Sequence, residues 1–157
     1  MANSAVSRSR ISTFHADTAA TAVTRLIEMD IEPFLVRSGL VAVINQRLLR
    51  VLCECSRETA DPAEFRGLGI DRARVPTGCA RCNQTGYSGR DIVSEFLDLR
   101  TAALGSAILE KADARELYRR AVDCGMVPLV EQASELVRQG RTSPEEVQRV
   151  LGSGVRT

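Results

Sequence analysis

Two closely spaced pairs of cysteines have the residue type and spacing that are typical of metal binding. The pairs are Cys53 with Cys55 and Cys79 with Cys82, and a charged loop separates them. Zinc prefers four tetrahedral ligands, and a Cys-x-x-Cys turn places two sulfurs on one edge of that tetrahedron. The shorter Cys-x-Cys pair also fits if its segment is extended, because residues i and i+2 of a strand point to the same side. The sequence therefore predicts a zinc site at these four cysteines.

The predicted zinc site is closed, because all four ligand positions are cysteine and none is left for water. Closed sites of this kind are structural and not catalytic. The segment Asn83–Tyr87 adds a turn whose backbone N–H groups could donate to the thiolates. Other interpretations stay open: reduced thiols without metal, an iron site or transient redox pair, and disulfides. The odd count of five cysteines favours a reducing compartment and metal ligation over a disulfide framework.

Composition bounds the class of protein. The 157 residues are 44% hydrophobic and 26% charged, as in a soluble globular protein. The formal net charge is only +1, so bulk electrostatics gives no support for a nucleic acid or an anionic membrane as the main partner. No stretch approaches about 18 uninterrupted apolar residues, and the first ten residues lack the apolar region of a signal peptide. We therefore expect a cytoplasmic protein without a transmembrane segment.

The residues before the cysteines predict a short strand, a helix and a second strand. Ile11–Phe14 alternates apolar and polar side chains, as a half-buried strand does, and His15 stands at its C-terminal end. Asp17 or Thr18 can cap a following helix that has one apolar face. A strand over residues 47–52 then leads to the first cysteine pair.

The residues between and after the cysteine pairs predict an insertion followed by a strand and helices. Residues 56–78 are rich in charge, proline and glycine, so they indicate an insertion with little core of its own, which a metal would hold together. Residues 90–99 alternate as in a strand that returns to the main body. Helix start signals follow at Asp113, Pro128 and Ser143. Cys124 falls on the apolar face of the first of these helices, so we expect it to be a small core residue.

No motif for self-sufficient catalysis can be defended from these residues. They contain no Gly-x-x-x-x-Gly-Lys-[Ser/Thr] phosphate loop. A Ser-His-Asp, His-Glu-x-x-His or paired-carboxylate arrangement is not evident either. His15 is the single histidine, and a single histidine is more often a surface or satisfied core residue than a site residue.

Four parts of the sequence together resemble one protein family. The matching segments are Ser12–His15 with Ala22–Leu26 and Glu32–Leu35, then Gln46–Cys53, then Gly78–Arg90 with Glu95, and finally Gly125–Leu129 with Gly140–Val147. In this order and spacing they are similar to the C-terminal part of the type II secretion and type IV pilus assembly ATPases, the GspE/PulE class. The resemblance covers residues 11–151.

This resemblance implies a RecA-like α/β ATPase domain in a hexameric cytoplasmic motor, which drives pilin-like subunits into a fibre through an inner-membrane platform protein. By position, His15 matches the histidine of the family's His box, which lies near the nucleotide phosphates. The four cysteines match the family's tetracysteine zinc-binding appendage. ATP and Mg²⁺ are cofactors of the complete family protein. Two departures are Ala16-Asp17 where the family usually has Thr-Asn, and a first cysteine pair that is one residue shorter than usual.

The resemblance also divides the chain and sets the functional hypotheses. The expected parts are a ragged or disordered start (1–10), a partial RecA-like core (11–52), the zinc-binding appendage (53–87), a strand returning to the core (88–100) and a helical region (101–157). The phosphate loop and acidic Mg²⁺ boxes precede the His box in the family, so we expect no ATP hydrolysis by this chain alone. The first hypothesis is a truncated secretion-motor ATPase, peripheral at the inner face of the cytoplasmic membrane. The alternatives are a free-standing structural zinc-binding interaction module and an inert remnant with an aggregation-prone strand edge.

Overall fold

The computed structural model describes residues 10–65 and 67–152. The helices within them are α1 (Ala19–Glu28), α2 (Pro33–Gly39), α3 (Ala102–Leu109), α4 (Ala114–Asp123), α5 (Leu129–Arg138) and α6 (Pro144–Leu151). The strands are β1 (Ala42–Leu52), β2 (Arg57–Thr59), β3 (Ala73–Val75) and β4 (Tyr87–Asp98). None of the helices in this part of the chain is long and apolar enough to cross a membrane. The ragged start predicted for residues 1–10 lies almost entirely outside the described residues.

A long antiparallel ribbon of β1 and β4 forms the centre of the fold, and a shorter one pairs β2 with β3. In the long ribbon Ile44 lies opposite Phe96, and both side chains are at least half exposed. The next residue of β4, Leu97, is fully buried, because successive strand residues point to opposite faces. The strands predicted over residues 47–52 and 90–99 are therefore confirmed, and both are longer than predicted.

Two hydrophobic clusters pack on the long ribbon. The first joins α1, α2, α3 and α4 to the end where β4 stops, with the buried side chains of Ala19, Ala20, Val23, Val36, Leu97, Leu99, Leu104, Ala107, Ile108, Leu117, Ala121 and Met126. The second joins α5 and α6 to the middle of the ribbon, with Leu49, Phe65, Ile70, Ala73, Val93, Leu129, Ala133, Val137 and Val147. Three members of the second cluster come from residues 56–78. The predicted insertion therefore shares a core with α5 and α6 and does not depend on a core of its own.

The strand predicted over Ile11–Phe14 is wrong, since the structure has irregular backbone there. Ile11 is fully exposed and Phe14 is about half exposed. A strand needs a neighbour for its N–H and C=O groups, and among the described residues β1 and β4 pair only with each other. Side chains hold the segment instead, since the Arg25 guanidinium donates to the carbonyl of His15 at 2.8 Å.

Local capping signals predicted the helix starts correctly. The Thr18 hydroxyl accepts from the N–H of Thr21 at 3.0 Å, so Thr18 and not Asp17 caps α1. The Asp113 carboxylate accepts from the third residue of its helix, as the capping signal predicts. Ser143 does the same at the start of α6.

The prediction that Cys124 lies in the core is wrong, because its side chain is exposed. Helix α4 ends at Asp123, one residue before the apolar stripe would have reached the cysteine. Gly125 then adopts a φ of 97°, which reverses the chain. Met126 donates its N–H to the carbonyl of Ala121 at 2.9 Å, and its side chain fills the core position instead.

Candidate metal centre

The four predicted ligands converge where the long ribbon ends. We call Cys53, Cys55, Cys79 and Cys82 the cysteine cluster; their Sγ atoms all lie within 4.8 Å of one another. Three of the sulfur–sulfur distances are 3.9, 3.9 and 3.7 Å. Four sulfurs placed about 2.3 Å from a central zinc define a tetrahedron with edges of about 3.8 Å. The cysteine cluster therefore has the dimensions needed to hold a metal ion.

The same sulfur–sulfur distances are too long for disulfide bonds. A disulfide holds its sulfurs at about 2.05 Å, roughly half the separations in the cysteine cluster. All five cysteines are free thiols. The donor set is thus four soft sulfurs with no carboxylate or imidazole among the grouped residues. Such a set suits zinc or an iron centre and does not suit magnesium or calcium.

The two cysteine pairs are presented by different backbone conformations. Cys53 directly follows β1 and donates its N–H to the carbonyl of Gly86 at 2.9 Å, which ties the first pair to the turn after the second. Cys79 directly precedes a short 3₁₀ turn over Ala80–Cys82, and Cys82 is the last residue of that turn. That turn closes in the left-handed region at Asn83, with a φ of 50°. This reversal brings the following residues back over the Cys82 sulfur.

Backbone N–H groups donate to the Cys82 sulfur, and one of them, from Gly86, belongs to the turn for which the sequence predicted such donors. The N–H of Cys79 and that of Gly86 each donate to this sulfur at 3.2 Å. Gly86 has a φ of 77°, and a side chain there would collide with Pro76. Glycine is therefore required at this position, both for its backbone conformation and for the close approach of the two loops.

The environment separates the acidities of the thiols. Burial raises the pKa of Cys82, but the N–H groups of Cys79 and Gly86 and the neighbouring thiols outweigh it and lower that pKa to about 6. The backbone of Cys55 lowers the pKa of Cys53, whereas burial and the other thiols of the cluster raise it to about 11. The Cys82 thiol thus loses its proton readily and the Cys53 thiol does not, as expected where several thiolates would place like charges at one site. A bound cation would remove that conflict.

Further contacts brace the loops around the cysteine cluster. The Thr77 hydroxyl donates to the carbonyl of Cys55, across the gap between the two arms. Arg81 and Glu54 form an ion pair at 2.5 Å, but both side chains are more than two-thirds exposed. Such an exposed pair contributes little to stability, because water screens both charges. The conformation of the two loops therefore depends mainly on backbone hydrogen bonds and on any metal ion that the four sulfurs bind.

The structure does not bring His15 to the cysteine cluster. Its segment lies over the first half of β1, where the side chains of Asn45 and Arg47 donate to the carbonyl of Asp17 at 2.8 and 3.2 Å. From Asn45 to Cys53 the strand runs roughly 26 Å, at about 3.3 Å per residue. The His15 side chain is exposed.

Two buried glutamates are structural features that sequence reasoning missed. Glu95 is 1% exposed and accepts from the N–H of Ala19, the first residue of α1, at 2.5 Å. Glu146 is fully buried beside Arg50 and Arg149. Its position three residues after Ser143 is typical of a capping box, and this pattern gave no sign of a buried ion pair.

Comparison with known proteins now identifies the class. A family model described as "Type II/IV secretion system protein" matches residues 7–149. The chain belongs to this family. It is 39% identical over 147 residues to type II secretion system protein E of Pseudomonas aeruginosa, covering 89% of this chain and 29% of that protein. It is 41% identical to type II secretion system ATPase E of Vibrio cholerae, with the same coverage.

The relationship extends to pilus assembly proteins. Over 146 residues the chain is 38% identical to the type IV pilus assembly ATPase PilB of Thermus thermophilus, covering 87% of this chain and 16% of that protein. The resemblance to type II secretion and type IV pilus ATPases is therefore confirmed. The chain spans less than a third of the length of these curated relatives.

Proposed function

We propose that this chain is the C-terminal part of a RecA-like secretion or pilus-assembly ATPase and contributes a structural zinc centre to that motor. The observation that carries the proposal is the convergence of four thiols at zinc-ligand spacing in a chain of this family. In the proposed division, residues 53–87 form the zinc-binding appendage of a partial ATPase core. The helices after β4 form the helical region that completes it.

Zinc would act on the fold and not on a substrate. Bound zinc supplies a rigid cross-link between the two loops that carry the cysteine pairs. The chain's own residues prepare that link: the N–H groups of Cys79 and Gly86 donate to the Cys82 sulfur and stabilise its thiolate. With all four ligands from the protein, no coordination position is left for water or a reacting group.

ATP hydrolysis requires residues that this chain does not supply. Two of the three relatives described above are named ATPases. Phosphoryl transfer needs a phosphate loop and an acidic Mg²⁺ anchor, and no phosphate-loop motif occurs among these residues. We infer that His15, which is exposed, lies near the nucleotide phosphates only in a complete site. Assembly into a hexamer and docking to an inner-membrane platform protein at the cytoplasmic face belong to the same proposal.

The test is metal analysis together with an ATPase assay on the purified full chain. We expect about one zinc per chain, retained by Cys124→Ser and lost from Cys82→Ser. Cys124→Ser is the matched control because it removes the one thiol outside the cysteine cluster. We expect no ATP turnover by the chain alone. Turnover above background would overturn the proposed dependence on other residues, and a protein that holds no zinc would overturn the proposed centre.

A further inference from the structure

The loop before α6 is attached to the last residues of β1, directly before the cysteine cluster. The N–H of Leu52 donates to the carbonyl of Arg141 at 2.8 Å. The Thr142 hydroxyl donates to the carbonyl of Arg50, also at 2.8 Å. Both Thr142 and Ser143 are fully buried, so these contacts are shielded from water. The segment that positions Cys53 is thus the same segment that holds the start of α6.

A second attachment runs from the other arm of the cysteine cluster. Tyr87 follows Gly86, whose N–H donates to the Cys82 sulfur. The Tyr87 hydroxyl is hydrogen-bonded to the Ser143 hydroxyl at 2.7 Å, and Ser143 caps α6. The Arg50 guanidinium lies 4.0 Å from the centre of the Tyr87 ring. Both arms of the cluster therefore end on contacts that fix the first turn of α6.

Helix α6 depends on its contacts with the rest of the fold to stay helical and docked. It is eight residues long, which is too short to be stable by itself in water. Its Val147 side chain is fully buried in the second hydrophobic cluster, and the buried Glu146 carboxylate needs its arginine partners. Undocking would therefore be a cooperative event that also releases Leu52, Tyr87 and the cysteine loops.

We infer that zinc binding at the cysteine cluster and docking of α6 are thermodynamically coupled, so that the metal acts as a latch on the C-terminal helix. This inference rests on the zinc centre proposed above. When zinc orders the four sulfurs, the backbone from Leu52 to Cys53 and from Gly86 to Tyr87 is held in the conformation that α6 requires. Linkage is reciprocal, so a weakened α6 junction must also weaken zinc binding by the same factor.

The first test is amide hydrogen exchange on the full chain, with zinc and after its removal by a chelator. Zinc is expected to slow exchange in residues 141–151 by about tenfold, within the usual range of coupling between sites. Helix α4 is the internal control, because it packs in the first hydrophobic cluster. Zinc should slow exchange in α4 less than in α6. Equal protection of the two helices, or none in α6, would overturn the latch.

The second test measures zinc affinity by competition with a chromophoric chelator. Tyr87→Phe removes the hydroxyl that contacts Ser143 and keeps the ring beneath Arg50. We expect it to weaken zinc binding about fivefold, the effect of one lost hydrogen bond. Tyr118→Phe is the matched control, since it deletes the same atom from α4, in the other cluster. Equal affinities for the two variants would overturn the coupling.

The experiments distinguish a failure of the proposed coupling from a failure of the proposed zinc centre. If the wild-type chain binds no zinc, both are overturned. If zinc binds in one equivalent but α6 exchanges at the same rate with and without it, the centre stands and the latch alone is overturned. The exchange experiment uses only the wild-type chain, so a variant that does not fold leaves the test intact.

Discussion

Glu146 and Arg50 form an ion pair that joins α6 to β1. The carboxylate accepts from the main-chain N–H of Arg50 at 3.0 Å and from its guanidinium at 2.8 and 2.6 Å. The Glu146 side chain is fully buried, whereas that of Arg50 is about a third exposed. Since a buried carboxylate without partners is costly, the position of α6 depends on this pair.

Loss of the Glu146 charge should destabilise the fold. We expect Glu146→Gln to lower the free energy of unfolding by about 2 to 3 kcal/mol, because the neutral amide loses the charge-assisted hydrogen bonds that the buried carboxylate makes with Arg50 and Arg149. Glu145→Gln is the control, since Glu145 is exposed on the same helix turn and should change stability by less than about 0.5 kcal/mol. Urea unfolding of the two variants measures the difference. Equal stabilities would contradict the ion pair.

The contribution of Glu146 should disappear in acid. Burial raises the pKa of this carboxyl, but hydrogen bonds from Arg149 and Arg50 outweigh burial and lower the pKa from 4.5 to about 2. A carboxyl with a lowered pKa in the folded state stabilises the fold above its ordinary pKa, and this stabilisation is lost as the pH falls from 4.5 towards 2. The difference between wild type and Glu146→Gln, measured by unfolding from neutral pH downwards, should therefore shrink below about pH 4.5. A stability difference between the two proteins that grows as the pH falls would contradict this prediction.

Gly86 should tolerate no side chain. Gly86→Ala places a Cβ against Pro76 at a residue with a φ of 77°, so we expect a loss of about 2 to 3 kcal/mol in stability and weaker metal retention. Gly89→Ala is the matched control: it has a φ of 92° but no atom near the added Cβ, so only backbone strain of about 1 kcal/mol applies. Thermal unfolding of both variants measures the two losses of stability. Similar losses would show that the contact with Pro76 is unimportant.

Threonine should cost more stability on the buried face of β4 than on its exposed face. Val93 is 1% exposed and Ile92 is 57% exposed. Val93→Thr buries a hydroxyl without a partner and should cost about 2 kcal/mol. Ile92→Thr leaves the new hydroxyl in water and should cost less than about 1 kcal/mol. Chemical denaturation of the two variants tests the strand register. The register would be wrong if Ile92→Thr lost more stability than Val93→Thr.

Features set by neighbours in the sequence could be predicted, because their physical causes are local. The caps at Thr18, Asp113 and Ser143 each involve a side chain and an N–H three residues later. The cysteine spacing could be interpreted in the same way, since ligand pairs within a turn or a strand are constrained by local geometry.

Features that depend on distant residues could not be predicted. Glu146 meets Arg50 across 96 residues, and helical periodicity gives no sign of that partner. The burial of Phe65 and Ile70 depends on where α5 and α6 pack, and composition alone marked their segment as an insertion. Ile11–Phe14 has the alternation of a strand, but alternation does not supply a neighbouring strand.

The most direct measurement of the central claim is the zinc K-edge absorption spectrum of the purified chain. The proposed centre predicts a single shell of four sulfur ligands at about 2.3 Å. Cys124→Ser should leave that spectrum unchanged. A shell that contains nitrogen or oxygen ligands, or a protein with no zinc to measure, would contradict the account.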